Sequence, residues 1–330
     1  MACAQNSSPE ARAPRAVGVA DRPAGPSILP ARGRVRVIRL RPSEWLLLAY
    51  FLYAVFASPF WAARYEIWVT RAALTLAAVA FLLLLAWAEA ATARPRFFSV
   101  VRDWLPAPFI LVAYWAVDWF VPATYPHTYE RSWIILDRLL LNTWGGKAAI
   151  ECLGCALPFL LELAYSLLYA IPPVSIGILY LCRRRDRVDR FLFMLLLGTL
   201  ASYVLLPQFP SEAPRILFPG EDRPACTTPF RLLNLWLLDG LDIRASVFPS
   251  GHVTVAFSAA FAMLLAVPER RRVGWTMAGM AGFVAVATVY ARYHYAVDGL
   301  AGCLISLATG VVGARFYPIV RRAAIGEARP

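Results

Sequence analysis

The chain contains little charge for its length. Charged residues make up 16% of its 330 residues and hydrophobic residues 59%, against about 25% and about 45–50% in a soluble globular domain. This balance excludes an ordinary soluble domain and predicts a membrane protein. Lysine is represented by Lys147 alone, so the net charge of +12 comes from arginine. In a membrane protein such charge indicates topology and attraction to anionic headgroups first, and nucleic-acid binding is not expected.

Residues 1–43 lack the apolar core that a secretory signal requires. They are poor in aromatic residues and rich in proline, alanine and arginine, which predicts a disordered, basic tail on the cytoplasmic side. An organelle transit peptide is the alternative, because the stretch is arginine-rich and contains a few serines.

Eight charge-poor stretches approach the length of about 20 apolar residues that a helix needs to cross a bilayer core. They lie at about 44–62, 72–91, 105–122, 154–182, 190–208, 251–267, 273–291 and 298–317. Pro172 and Pro173 interrupt the fourth stretch, which predicts a kink or an early exit. The expected fold class is therefore all-α, a polytopic membrane helix bundle with about eight spans.

Arginines cluster where the chain leaves the second, fourth, sixth and eighth spans, and before the first. By the positive-inside rule, both termini are then cytoplasmic. The loop at about 209–250 and the turn at about 291–297 consequently face outward. Two of the chain's three histidines, His252 and His294, are thereby predicted to lie at the same depth on the outer face.

Polar residues near these histidines form a chemically useful pattern, since polar groups at membrane depth are costly and usually line a site. His294 and Asp298 are four residues apart, so on a helix the carboxylate can accept the imidazole N–H. Such a bond leaves the other ring nitrogen free, which makes His294 a candidate nucleophile. Gly251 allows an anion close to the backbone, and Ser250 with the first amides of a helix suits phosphate. His252 is suited to acid and base catalysis.

The string Phe248-Pro-Ser-Gly-His252, followed by Tyr293-His-Tyr-Ala-Val-Asp298-Gly-Leu-Ala-Gly302, resembles the second and third signature motifs of the type 2 phosphatidic acid phosphatase superfamily. The spacing of one membrane hairpin also fits. The Arg-Tyr-His-Tyr form is more similar to the branch related to inositol phosphorylceramide synthases. The resemblance covers about residues 105–317 and implies a six-span core there. The additions are the tail at 1–43, two further helices at 44–91 and a C-terminal tail at 318–330.

The resemblance implies a reaction without metal or cofactor on a phosphorylated lipid. His294 would form a phosphohistidine, Asp298 would orient it, and His252 would act as acid and base. Ser250 and Gly251 would hold phosphate oxygens. The acceptor is water in a phosphatase and an alcohol in a phosphotransferase, because the first half-reaction is shared. We therefore expect an integral protein of the bacterial plasma membrane, with its site on the extracytoplasmic face and membrane lipids as surroundings.

The sequence departs from the family pattern at two arginines. The third motif usually has an arginine six residues before the nucleophile, where this chain has Thr288. Arg292, one helical turn further on, is expected to supply that charge for phosphate binding. The first motif normally runs lysine, six residues, arginine and proline, and no such string occurs. Arg215 is our candidate for its phosphate-binding arginine, and Arg223, which a proline follows, is the second choice.

Other functions would use the same residues. Ser250 and His294 would form the dyad of an intramembrane serine protease, although Ser250 lacks the Gly-x-Ser-x-Gly setting. An anion transporter or channel would use Arg215 and Arg292 in an outer vestibule, which leaves the spacing of His294 and Asp298 without a task. A zinc site at the two histidines and Asp298 is a further alternative, because all three are acceptable zinc ligands.

The remaining polar residues have simpler interpretations. Glu162, inside the fourth span, is expected to bind a neighbouring helix, and His127 to be a loop residue. A disulfide among Cys152, Cys155 and Cys226 is one option on an oxidising exterior, but small buried thiols are favoured. The last span contains glycines that are expected to permit close helix packing, namely Gly299, Gly302, Gly310 and Gly313.

Overall fold

The computed structural model of the protein describes residues 38–61, 65–120, 125–243 and 246–325. They fall in the second of two units, Val37–Pro330, and the first unit, Met1–Arg36, lies outside them. Most of the predicted tail at 1–43 is therefore outside the described residues. The predicted C-terminal tail at 318–330 is helical as far as residue 325.

The described residues form helices joined by turns and contain no β-strand, as the predicted all-α fold class requires. The first helices are α1 (Pro42–Trp61), α2 (Tyr65–Ala91), α3 (Pro95–Trp104), α4 (Pro106–Ala116), α5 (Thr128–Arg138), α6 (Gly146–Glu151), α7 (Ala156–Leu167) and α8 (Ile171–Leu181). The others are α9 (Val188–Leu205), α10 (Pro214–Leu217), α11 (Pro229–Leu241), α12 (Gly251–Ala266), α13 (Arg271–Tyr290) and α14 (Ala296–Ile325). Proline stands in the first turn of α3, α4, α8 and α11, where its missing N–H needs no partner.

The protein is a polytopic helical membrane protein. Within the described residues, five helices are long and apolar enough to cross a bilayer: Val69–Ala91, Ala156–Leu181, Arg185–Gln208, Pro268–Tyr290 and Ala296–Ala324. The bent pair Pro95–Trp104 and Pro106–Ala116 forms a sixth if counted as one span. The other two predicted stretches are shorter apolar helices, Pro42–Ala57 and Gly251–Ala266. All eight predicted stretches are thus helical where they are described.

Two of the spans are interrupted at proline. Helices α3 and α4 meet at a bend of 44° just before Pro106. Helices α7 and α8 are separated by a short 3-10 turn, and Pro172 and Pro173 lie in the first turn of α8. At the place where a kink or an early exit was predicted, the helix thus changes to a 3-10 turn and the span continues to Leu181, because proline removes a helical hydrogen bond and crowds the preceding turn.

Helix α9 is the central helix of the bundle. It packs against α1, α12 and α14, and α12 in turn packs against α9, α13 and α14. Gly198 allows this close approach, because a Cβ at that position would collide with the Ser258 side chain of α12. Helices α9, α12 and α14 therefore pack closely against one another.

Buried ion pairs join the first two helices to the rest of the bundle. Arg102 of α3 binds Glu44 of α1 at 2.6 Å and Glu89 of α2 at 2.6 Å. Asp103 binds Arg41 at 2.5 Å and Arg185 at 2.6 Å. The first two helices are therefore fixed to α3 and to the turn before α9 by charge as well as by apolar packing.

Replacing Glu44 with glutamine is expected to destabilise the protein by about 3 kcal/mol, because a buried charge that loses a partner is strongly destabilising. The matched control is Glu221→Gln. Glu221 pairs with Arg138 at 2.7 Å, but both side chains are exposed, so its loss should cost about 1 kcal/mol or less. Thermal unfolding in detergent measures both variants, and equal melting temperatures would contradict a stabilising role for the buried network.

Candidate active site

The first turn of α12 and the turn between α13 and α14 meet at one end of the bundle. Ser250 is the N-cap of α12, and its side-chain oxygen accepts a hydrogen bond from Val253 N at 3.3 Å. The backbone N–H of Ser250 donates to the carbonyl of Asp298 at 3.1 Å. These bonds tie the start of α12 to the start of α14 and bring His252 and His294 together.

The two histidines are hydrogen-bonded directly. Nδ1 of His252 lies 3.1 Å from Nε2 of His294, and Nδ1 of His294 lies 2.9 Å from the carbonyl oxygen of Val247. A carbonyl only accepts, so Nδ1 of His294 carries the proton and Nε2 carries a lone pair. Nδ1 of His252 then donates to that lone pair, and Nε2 of His252 accepts from the Tyr165 hydroxyl at 3.2 Å. Nε2 of His294 is consequently the nitrogen with nucleophilic character.

Burial keeps the His294 ring neutral. Removal from water lowers the pKa of His294 to about 4, although the negative charge of Asp242 opposes the shift. A neutral imidazole is the form that can attack an electrophile, so His294 is in its reactive form at neutral pH.

Asp298 lies beside His294 and shares the Nδ1 side of its ring with a backbone carbonyl. The carboxylate oxygen Oδ2 is 3.4 Å from Nδ1 of His294, and it accepts a hydrogen bond from the backbone N–H of Tyr295 at 2.8 Å. The acceptor for the imidazole N–H is the carbonyl of Val247. The Val247 carbonyl is thus the closer acceptor, and the predicted role of Asp298 in orienting the His294 ring stays a prediction.

Ser250 and Gly251 have different positions relative to the histidines. Gly251 lines the small cavity that contains both rings, and a Cβ there would lie 3.2 Å from the Tyr203 ring. The Ser250 hydroxyl is fully buried and caps α12. Among the described residues, Ser250 makes no hydrogen bond to either histidine, so this geometry does not favour a serine protease dyad.

Arg215, predicted as the phosphate-binding arginine, reaches the histidine cavity. It lines that cavity together with His252 and His294. Its Nη2 donates to Asp242 at 3.0 Å, and its guanidinium lies 5.8 Å from the centre of the Tyr293 ring. The helix α10, opened by Pro214, places this side chain beside the two rings.

Arg292 and Arg223 do not reach the histidine cavity. Both line a neighbouring cavity that shares Arg215 with it. Arg292 is 2% exposed, and its Nη1 binds Asp137 at 2.8 Å. Arg292 is thus held by Asp137 outside the histidine cavity, and its predicted replacement of the missing motif arginine at Thr288 stays a prediction.

Several site residues carry no motif in the sequence. Tyr165, Asp242 and Val247 contact the histidines or Arg215, and none belongs to a recognisable pattern. Glu162 could be identified from the sequence, because an ionisable residue inside a membrane span is unusual. It accepts hydrogen bonds from the Tyr293 hydroxyl at 2.8 Å and from Arg231 at 3.0 Å, so it positions neighbouring helices as expected.

Three adjoining cavities surround the histidines. The histidine cavity has a volume of about 10 Å³, about the space that one water molecule needs. An apolar cavity of about 660 Å³ shares Tyr114, Asp242, Gly251 and His252 with it. The cavity of Arg215 and Arg292 measures about 430 Å³. The histidine cavity thus adjoins an apolar space on one side and meets, at Arg215, a space lined by arginines.

Two of the three cysteines considered in the sequence analysis are bonded to each other and are not free thiols. Cys155, at the start of α7, forms a disulfide with Cys226, and Cys152 is free and exposed. The favoured state of small buried thiols is therefore wrong for Cys155 and Cys226. The described residues contain no group of three or more His, Cys, Asp or Glu side chains placed to hold a metal ion.

A protein-family model described as "PAP2 superfamily" matches residues 154–312. The matched stretch contains both histidines, Arg215 and Asp298, while helices α1 to α6 precede it. No curated protein and no solved structure shows a significant match to the chain. The family match supports placing this chain in the PAP2 superfamily, and with it a phosphatase-type function.

Proposed function

We propose that the protein is an integral membrane lipid phosphatase or lipid phosphotransferase that acts through a phosphohistidine at His294. The hydrogen-bonded pair of His252 and His294 carries this proposal, since it sits beside Arg215 at the end of an apolar cavity. The resemblance to the inositol phosphorylceramide synthase-related branch supports an alcohol as one possible acceptor.

The apolar cavity supports a lipid substrate. Its volume of about 660 Å³ is within the range of about 300–1,000 Å³ for ligand pockets. Its lining is mostly aliphatic and aromatic and includes Val101, Trp104, Ile110, Leu168 and Tyr169. His252 and Asp242 form its polar end. A hydrocarbon chain in this cavity would place its phosphorylated head at the histidines.

The predicted topology and the disulfide support an extracytoplasmic site. The spans that begin near Cys155 and His252 each end in a cluster of arginines, at 183–187 and 270–272. By the positive-inside rule these arginines are cytoplasmic, so Cys155 and His252 are predicted to lie at the outer face. Cys155 and Cys226 form a disulfide, and the predicted topology places it on the same side of the membrane as the histidines. Disulfides persist mainly in oxidising compartments, which supports an extracytoplasmic location. Both termini would then be cytoplasmic, with the site facing outward.

In the first half-reaction, Nε2 of His294 attacks phosphorus and the phosphorus–oxygen bond to the lipid breaks. The electron pair passes to the departing oxygen, which takes a proton from His252. In this proposal His252 becomes an imidazolium when the negatively charged substrate binds beside it, because an opposite charge favours the protonated ring. Arg215 and the amides at the start of α12 stabilise the negative charge on the phosphoryl oxygens. Asp298 and the Val247 carbonyl stabilise the positive charge that develops on the His294 ring.

In the second half-reaction, His252 accepts a proton from the attacking water or alcohol. A new phosphorus–oxygen bond forms, the bond to Nε2 breaks, and His294 returns to its neutral state. Water gives inorganic phosphate, and an alcohol gives a new phosphate ester. The two enzyme classes thus differ only in the molecule that resolves the phosphohistidine.

The test is release of phosphate or headgroup from a panel of lipid phosphates and phospholipids, with chelator present, by the full chain in detergent. We expect turnover and a phosphoenzyme that is stable in base and labile in acid, as a phosphorus–nitrogen bond requires. Added alcohols should divert product from inorganic phosphate to ester if the protein is a phosphotransferase. Turnover lost on chelation, or a phosphoenzyme on another residue type, would overturn the proposal.

A further inference from the structure

A second cavity adjoins the histidine cavity and is rich in arginine. We name it the arginine cavity, and it is lined by four arginines, Arg215, Arg223, Arg231 and Arg292, together with the acids Glu221 and Asp239. Only Arg215 lines both cavities. The arginine cavity is therefore a separate space that meets the histidine cavity at one guanidinium.

Arg292 occupies a backbone position that glycine normally takes. It follows the end of α13 with φ of 66°, and the N–H groups of Arg292 and Tyr293 bond the carbonyls of Val289 and Thr288 at 3.1 and 2.9 Å. This pattern closes a helix with a left-handed residue, for which glycine is the usual choice because it has no Cβ. An arginine at this position is unfavourable for the backbone, which indicates that the guanidinium group has a role that offsets this cost.

Two arginines of the cavity, Arg215 and Arg292, have buried donors that lack a hydrogen-bond acceptor in the described part of the chain. Among the described residues, Nε and Nη2 of Arg292 and Nη1 of Arg215 are buried and have no hydrogen-bond acceptor. Arg292 as a whole is 2% exposed. Buried N–H groups without an acceptor are destabilising, and a tetrahedral oxyanion can supply several acceptor oxygens to guanidinium groups at once.

Carboxylates fix the arginines without using all of their donors. Arg215 binds Asp242 at 3.0 Å, Arg231 binds Glu162 at 3.0 Å, and Arg292 binds Asp137 at 2.8 Å. Arg223 instead donates to the carbonyl of Pro219. Of the two acids in the lining, Glu221 is paired with Arg138 at 2.7 Å, and Asp239 is exposed. The guanidinium groups are thus held in place while several N–H groups stay available.

We propose that the arginine cavity binds a second phosphate-type anion, next to the phosphoryl group at His294. Two sources share this chemistry: a further phosphoryl group on the lipid substrate, and inorganic phosphate set free from the phosphohistidine. Its location beside the histidines rests on the proposed function, but anion binding itself does not require turnover.

Binding of inorganic phosphate to the full chain in detergent tests the site, measured by titration calorimetry on the His294→Ala background so that no turnover occurs. Arg292→Gly suits the backbone and removes the donors, so it should weaken binding at least about tenfold. Arg223→Gln changes an exposed side chain and should weaken binding about threefold, even if Arg292→Gly folds poorly. The control Arg272→Gln, exposed at the other end of α13, should leave binding unchanged.

The proposal would be overturned if the protein bound no phosphate, or if Arg292→Gly and Arg223→Gln left phosphate binding unchanged. The buried arginine N–H groups would then be hydrogen-bonded by water instead of an anion. Two kinetic measurements distinguish a phosphoryl group of the lipid from released inorganic phosphate as the bound anion. A KM that rises in Arg292→Gly for a lipid diphosphate but not for the monophosphate of the same chain identifies a second phosphoryl group on the lipid. Weaker product inhibition by phosphate, with both KM values unchanged, identifies released phosphate. If no lipid is turned over, the proposed function fails while the calorimetry still decides this site.

Discussion

Replacing His294 with alanine is expected to lower kcat by about 10⁴-fold or more, because the covalent route is lost with its nucleophile. Nε2 of His294 is the nitrogen left with a lone pair once Nδ1 donates to the Val247 carbonyl. No other described histidine lies at this position, since His127 is bound to Glu130 at 3.0 Å at the start of α5. Phosphate release from the best substrate, at saturating concentration, measures the effect.

The matched control for His294→Ala is His127→Ala, which makes the same change in the third histidine of the chain. It should keep activity within about twofold of the wild type, since His127 lines none of the three cavities at the candidate site. His252→Ala should fall between them, with a loss of about 10²–10⁴-fold, because it removes acid and base catalysis but leaves the nucleophile. Wild-type turnover in His294→Ala would remove His294 as the nucleophile.

Replacing Gly302 with alanine is expected to reduce activity by about 10²-fold, because a displacement of about 1 Å between catalytic groups has an effect of that size. A Cβ at Gly302 would lie 2.8 Å from the Ser250 carbonyl oxygen and 2.9 Å from Oγ1 of Thr254. Both atoms belong to the start of α12, which cannot yield without moving His252 away from His294. Overpacking of this kind should also destabilise the protein by about 1–3 kcal/mol.

The matched control for Gly302→Ala is Gly310→Ala in the same helix. A Cβ at Gly310 would lie 3.7 Å from the nearest atom, in the Phe261 ring, which is ordinary contact. This variant should keep wild-type activity and gain slight helix stability. Kinetics and thermal unfolding of the two variants in one detergent measure the difference, and equal activities would contradict the close approach of α12 and α14.

The sequence determined the helical character and the approximate positions of the eight apolar stretches. It could do so because a backbone in lipid must satisfy its hydrogen bonds internally, so each span is a helix with a continuous apolar run. The Pro-Ser-Gly-His and His-x-x-x-Asp strings also lie in residues 154–312, which match the PAP2 superfamily model. The positions of the membrane helices could therefore be predicted from the local sequence alone.

The tertiary structure alone decided which arginine lies beside the histidines, which group accepts the His294 N–H, and which cysteines pair. Spacing along the chain predicted that Arg292 shares a helical face with Thr288 and that Asp298 shares one with His294, but the turn at 291–295 is not helical. In that turn the Arg292 side chain goes to Asp137, and the Val247 carbonyl, 47 residues from His294, takes the imidazole proton. Contacts between distant segments depend on how helices pack, and no periodicity within one segment encodes them.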